Sequence, residues 1–108
     1  MKRGDIVTVA AKGRFTSKPR PAVIVSSDFF EGHSSVAVVL LTGEVRDIPM
    51  LRWTVEPSAQ NGLKKASQVQ IDKITAVAVE DVGEPIGQLS TEDMTEITRY
   101  LATYLGVK

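Results

Sequence analysis

The sequence predicts a mainly β protein, a compact barrel-like sheet of five to seven short strands with one amphipathic helix packed against it at the C-terminal end. Three observations carry that prediction. Short apolar or alternating runs recur along most of the chain, and clusters rich in Gly, Pro, Asn and Asp separate them. Only the segment 90–106 has a helical apolar period between clear start and stop signals. The 108 residues, 43% apolar and 24% charged, suit one domain over residues 1–108 with a single modest core.

Residues 6–10 form the first expected strand. A basic loop follows, holding Lys12, Gly13, Arg14, Phe15 and Lys18. Residues 21–26 are the second strand, an unbroken apolar run that predicts burial on both faces. Residues 28–34 break the pattern and suit a short helical turn. The third strand, 36–41, is again apolar throughout and ends at Thr42-Gly43-Glu44. Residues 51–56 alternate, with Leu51, Trp53 and Val55 facing in and Arg52, Thr54 and Glu56 facing out. The connection 57–65 contains Asn61-Gly62, a strong turn pair. Residues 68–72 alternate too, setting Gln68, Gln70 and Asp72 on one polar face. A further strand is expected over 74–79 and a short one over 82–86. In the helix Ser90 is the cap, with Asp93 completing a capping box and Leu89 and Met94 placed for a hydrophobic staple. Met94, Ile97, Leu101 and Leu105 form its apolar stripe, and Gly106 stops it.

Composition excludes several classes of function. No apolar run approaches the roughly 20 residues of a membrane span. No apolar stretch follows Lys2-Arg3, so no signal peptide is expected. Cysteine is absent and His33 is the one histidine, which leaves no disulfide, no Cys zinc site and no His-ligated metal centre within one chain. A cytoplasmic location fits that cysteine usage. No cofactor motif is present. The formal net charge is zero, yet the charge is unevenly spread. Residues 1–20 hold six cations against Asp5 alone, and residues 80–96 hold six carboxylates and no cation. One end can meet phosphates while the other stays acidic, and ordinary solvated surface is the alternative.

Without Cys or a Ser-His-Asp set, chemistry falls to Arg, Thr, Asp or His33. RNA cleavage asks little more, because the substrate's own 2′-hydroxyl can be the nucleophile. The protein must align that hydroxyl, stabilise charge on the phosphorane and assist proton transfer. Arg20 stands between Pro19 and Pro21, which hold it extended at a strand mouth, and a guanidinium fork matches phosphate oxygens. A surface salt bridge is the alternative. Thr42 is the first polar residue after an apolar strand, so its hydroxyl emerges at the strand's end; a plain turn Thr is the alternative. Asp72 and Gln70 can bind a base edge or hydroxyl, or form a solvated strand face. His33 can be an acid or base, or an exposed turn residue. Lys12, Arg14, Phe15 and Lys18 suit an RNA-binding loop in which Phe15 stacks on a base or anchors the loop.

Several segments taken together resemble the MazF/PemK (Kid-like) toxin family of bacterial toxin–antitoxin systems. They are Arg3-Gly4-Asp5-Ile6-Val7, Lys18-Pro19-Arg20-Pro21-Ala22-Val23-Ile24-Val25, the run from Ser35 to Thr42, and Gly62-Leu63-Lys64-Lys65-Ala66-Ser67-Gln68-Val69 leading into Asp72-Lys73-Ile74. Ile86-Gly87-Gln88-Leu89 then runs into the helix. The resemblance implies an SH3-like barrel acting as a homodimer. It implies a metal-independent endoribonuclease, without cofactor, that cuts single-stranded mRNA to a 2′,3′-cyclic phosphate and a 5′-hydroxyl. It makes Arg20 and Thr42 the catalytic pair, and it implies a cognate antitoxin whose acidic tail takes the place of RNA. Two positions depart from the pattern. Gln70 replaces an Arg that is expected two residues before Asp72, which throws more of the work onto Arg20. Gly43 replaces a Ser that often follows the Thr. A CcdB-like gyrase poison on the same fold and a catalytically silent SH3-like binding module are the other readings. The first relies on a Trp near the C-terminus, where this sequence has Leu105-Gly106-Val107-Lys108.

Overall fold

A computed structural model describes residues 1–10 and 19–107. The strands among them are β1 (Asp5–Val9), β2 (Arg20–Ile24), β3 (Ser35–Thr42), β4 (Arg52–Val55), β5 (Ser67–Ala78) and β6 (Gly87–Gln88), followed by the helix α1 (Thr91–Leu105). They form a curled antiparallel sheet in the order β4-β5-β3-β2-β1-β6, a half-barrel that bears out the expected barrel-like sheet of five to seven strands. Its two edges meet: the Gln88 N–H of β6 donates to Gln60 O at 3.0 Å, in the turn that follows β4. Two glycines permit this approach. A Cβ at Gly87 would stand 2.2 Å from Asn61 O, and one at Gly62, where φ is +69°, would stand 2.2 Å from Ile86 O.

The sheet is apolar on both sides, as the unbroken runs predict. Alternation sends Ile6, Val23, Val39, Leu41, Val69 and Ile71 to the inner face, where Leu89, Ile97 and Leu101 cover them. Val7, Val9, Ala22, Ile24 and Val38 form a smaller apolar layer on the other face. The Arg3 guanidinium donates to Val25 O and Thr98 Oγ1, which ties the start of β1 to the end of β2 and to α1.

Two expected elements differ. Residues 68–72 and 74–78 are not separate strands but lie in the single 12-residue strand β5, and Val79 begins a 3-10 turn. Its register with β3 shifts between Val39 and Leu41. That irregularity moves the inward residues from Val69 and Ile71 to Ile74, so one strand reads as two in sequence. Residues 82–86 form no strand. Val82 makes an isolated bridge to Val9, and the short strand comes later, at Gly87–Gln88. Pro85 lies between them with no N–H to extend a ladder.

The helix begins as predicted, with Ser90 Oγ accepting from the Asp93 N–H at 3.0 Å. The reciprocal half of the capping box is not made, because the Asp93 carboxylate accepts from Trp53 Nε1 instead. Leu89 and Met94 both join the main core. The apolar stripe is covered only through Leu101, and Leu105 is 57% exposed. α1 packs mainly on β5 and on β4, a strand of four residues. Gly106 closes the helix at φ +76°, and its N–H reaches Thr103 O.

Candidate functional site

Arg20 opens β2 and Thr42 ends β3, and the two strands are neighbours. The pairs Ala22–Leu40 and Val23–Val39 fix their register; carried to the strand ends, it sets Arg20 opposite Thr42. Neighbouring strands lie about 4.8 Å apart, so these two share one face as adjacent cross-strand residues. Pro21 sits second in its strand, near the end where a missing N–H costs least. Thr42 pairs in turn with Gln68 of β5, and Gln68 with Thr54 of β4. The four make a polar row at the end of the outer apolar layer. Beside it lies a second pair, Gln70 and Arg52.

Arg20 is exposed, and it has no hydrogen-bond or ion-pair partner among the described residues. Arg46 and Arg99 behave differently, each pairing with a glutamate. Arg20 borders a cleft of about 550 Å³ with Val9, Leu40, Thr75, Val77 and Asp81. Thr42 Oγ1 accepts from the Glu44 N–H at 3.1 Å, which leaves its own O–H free to donate. Beside this turn the Arg46 guanidinium hydrogen-bonds the Glu44 carboxyl and holds it below its usual 4.5.

Gln68 is 4% exposed and fully engaged. Its Oε1 accepts from Arg46 N at 2.9 Å and Arg52 Nη1 at 3.0 Å, and its Nε2 donates to Arg46 O and Thr54 Oγ1, both at 3.0 Å. Arg52 Nη1 also reaches Glu44 O at 3.0 Å, while its Nε and Nη2 have no partner among the described residues. Gln70 is largely buried, but its side-chain amide has no hydrogen-bond partner among the described residues and keeps contact with solvent.

Of the residues the sequence singles out, Arg20, Thr42 and Gln70 therefore share one face. Asp72 is exposed, two residues along β5 from Gln70 at the irregularity in its register. Within one chain His33 is remote. It lies before the opposite end of β3, whose eight residues span about 23 Å, and it lines a separate cleft with Asp28, Phe30 and Val36. Lys12, Arg14, Phe15 and Lys18 lie outside the described residues. The acidic stretch is not at a far pole: Ala10 N donates to Asp81 O at 3.0 Å, and Pro19, Glu80 and Asp81 line one cleft. Sequence reasoning missed Arg52 as a site residue. Alternation puts it on the outer face of its strand, but only the β4–β5 register brings it to Gln70.

A guanidinium unpaired among the described residues, beside a hydroxyl free to donate on the open face of a curled small sheet, has the chemistry to bind a phosphate. Residues 2–105 match the family described as PemK-like, MazF-like toxin of type II toxin–antitoxin system, and the chain belongs to that family. It is 41% identical to a protein of Mycolicibacterium smegmatis named probable endoribonuclease MazF, over 99% of this chain and 98% of that one. It is 26% identical to endoribonuclease MazF9 of Mycobacterium tuberculosis, again over 99% and 98% of the two chains. The fold is similar to that of the Mycobacterium tuberculosis toxin MazF-mt6, with TM-score 0.81 and 24% identity over 96% of this chain and 98% of that one. It is equally similar to a chain of the MazE–MazF structure (Form-III) from Deinococcus radiodurans, with TM-score 0.81 and 17% identity over 100% and 98%. Among the described residues no helix is long and apolar enough to cross a membrane.

Proposed function

We propose that Arg20 and Thr42 perform the RNA cleavage of this MazF-like endoribonuclease toxin. The observation that carries the reading is the register that sets Arg20, unpaired among the described residues, opposite a Thr42 hydroxyl that is free to donate. The substrate is single-stranded mRNA. Its 2′-oxygen attacks the adjacent phosphorus, the O2′–P bond forms and the P–O5′ bond breaks. The 2′-hydroxyl gives up its proton and the departing 5′-oxygen takes one up, leaving a 2′,3′-cyclic phosphate and a 5′-hydroxyl. The Arg20 fork binds the non-bridging oxygens, and Thr42 donates to the charge that grows on them. The unpaired amide of Gln70 suits a base edge or the 2′-hydroxyl, with Asp72 a carboxylate on the same strand. No step needs a metal ion or cofactor.

The family implies an antitoxin partner, and an acidic segment of that partner would compete with RNA for the Arg20 row. The working form is a cytoplasmic homodimer, checked by mass in solution. The main test incubates the protein with a long single-stranded RNA in EDTA and maps the 5′ ends. Cuts at a short recurring sequence, lost in Arg20→Ala, support the reading. Intact RNA, with gyrase–DNA complexes trapped instead, overturns it.

A further inference from the structure

The space above Gly43, next to Thr42, is occupied. A Cβ at that position would stand 2.3 Å from Lys65 Cε and 2.7 Å from Lys65 Nζ. The Lys65 side chain therefore crosses the backbone of residue 43 and sets its ammonium beside the turn that carries the Thr42 hydroxyl. Any side chain at 43 displaces it. The position is built from the far side as well: Ser67 Oγ donates to Lys65 O at 3.1 Å, and Ser67 pairs with Val55. The lysine backbone is thus held at the start of β5 while its stem reaches the end of β3.

An ammonium carries three donors and no acceptor. This one has no hydrogen-bond or ion-pair partner among the described residues. Glu44 is engaged by Arg46. An exposed, unpaired cation is thus held against the residue that follows Thr42. The site also lacks a cation at position 70, where Gln70 stands.

We propose that Lys65 binds the scissile phosphate together with Thr42, as a cation of the cleavage site in addition to Arg20 and Arg52, and that the missing side chain of Gly43 admits it. The inference rests on the cleavage proposed at Arg20 and Thr42. A compact point charge suits this place, because it can follow the non-bridging oxygens as the phosphorane forms without the fixed geometry of a guanidinium fork. Gly43 and Lys65 then act as a unit. The glycine opens the space and the lysine supplies the charge.

The test measures kcat/KM on a short single-stranded RNA, and binding of a 2′-deoxy, uncleavable strand across salt concentrations. Lys65→Met is expected to lower kcat/KM at least 10-fold and to flatten the log–log salt slope of binding by about 0.7, the loss of one phosphate contact on a single strand. Lys65→Arg keeps most activity. Gly43→Ser gives a similar loss, and the double variant Gly43→Ser/Lys65→Met is no worse than either alone. Melting temperature stays unchanged in Lys65→Met, since that side chain is exposed. Full activity and an unchanged slope in Lys65→Met, with Arg20→Ala inactive, overturns the inference and leaves the cleavage reading standing. Additive losses in the double variant overturn the Gly43–Lys65 unit. Wild-type protein that leaves RNA intact overturns the underlying reading.

Discussion

Trp53 of β4 donates its indole N–H to Asp93 Oδ1 at 3.0 Å, and the same indole meets the Tyr100 ring edge-on at 5.6 Å. One side chain of a four-residue edge strand thus holds two turns of α1. Trp53→Phe keeps an aromatic body and removes the donor. The expected cost is about 1–2 kcal/mol, read by calorimetry as a melting point several degrees lower. RNA cleavage well below that temperature is expected to be unchanged, because Trp53 faces the core side and the Arg20 row lies on the other.

Thr42→Val removes the hydroxyl and preserves the shape of a β-branched residue. On the proposed mechanism kcat falls about 100-fold or more, the usual effect of deleting one donor to developing charge. Thr42→Ser restores most of the rate. Cyclic-phosphate release from a defined RNA, followed over time, measures both.

Gln68→Leu is expected to damage fold and site together. The amide fastens the N–H and C=O of Arg46 to the sheet and orients Arg52. Stability falls by about 2–3 kcal/mol, seen as a lower urea midpoint, because buried polar groups lose their partners. Gln68→Glu keeps the acceptor and loses the donor, and it falls between wild type and Gln68→Leu in stability.

Acid weakens two local contacts. Hydrogen bonds from Arg46 and Arg99 lower the carboxyls of Glu44 and Glu96 below 4.5. A carboxyl lowered on folding adds stability that is present above its unfolded value and fades as pH falls through the folded one. Both pairs are exposed, so the effect is local and small. A carbon-detected NMR titration is expected to show both glutamates titrating below 4.5, and each returns towards that value when its arginine is replaced by Gln.

The helix was legible because its cap, stripe and stop are local: Ser90, Ile97, Leu101 and Gly106 each act within a few residues. The apolar runs of β2 and β3 showed two-sided burial for the same reason. What escaped was set by pairing between distant segments. The continuity of β5 was hidden where its inward residues pass from Ile71 to Ile74. The Asp93 carboxylate was drawn from its own cap by a tryptophan 40 positions away. Arg20 and Thr42 could be named from their strand ends. Arg52 and Lys65 could not, since β-sheet register and the open space at Gly43 bring them to the site.

Arg3 reaches Thr98, Asp5 pairs with Gln88, and the 15 residues of α1 supply Ile97 and Leu101 to the main core. The first strand is therefore completed by β6 and α1. On the ribosome the strands emerge before α1, so their inner face stays uncovered until the helix follows. Until then this endoribonuclease toxin has strands without a covered core.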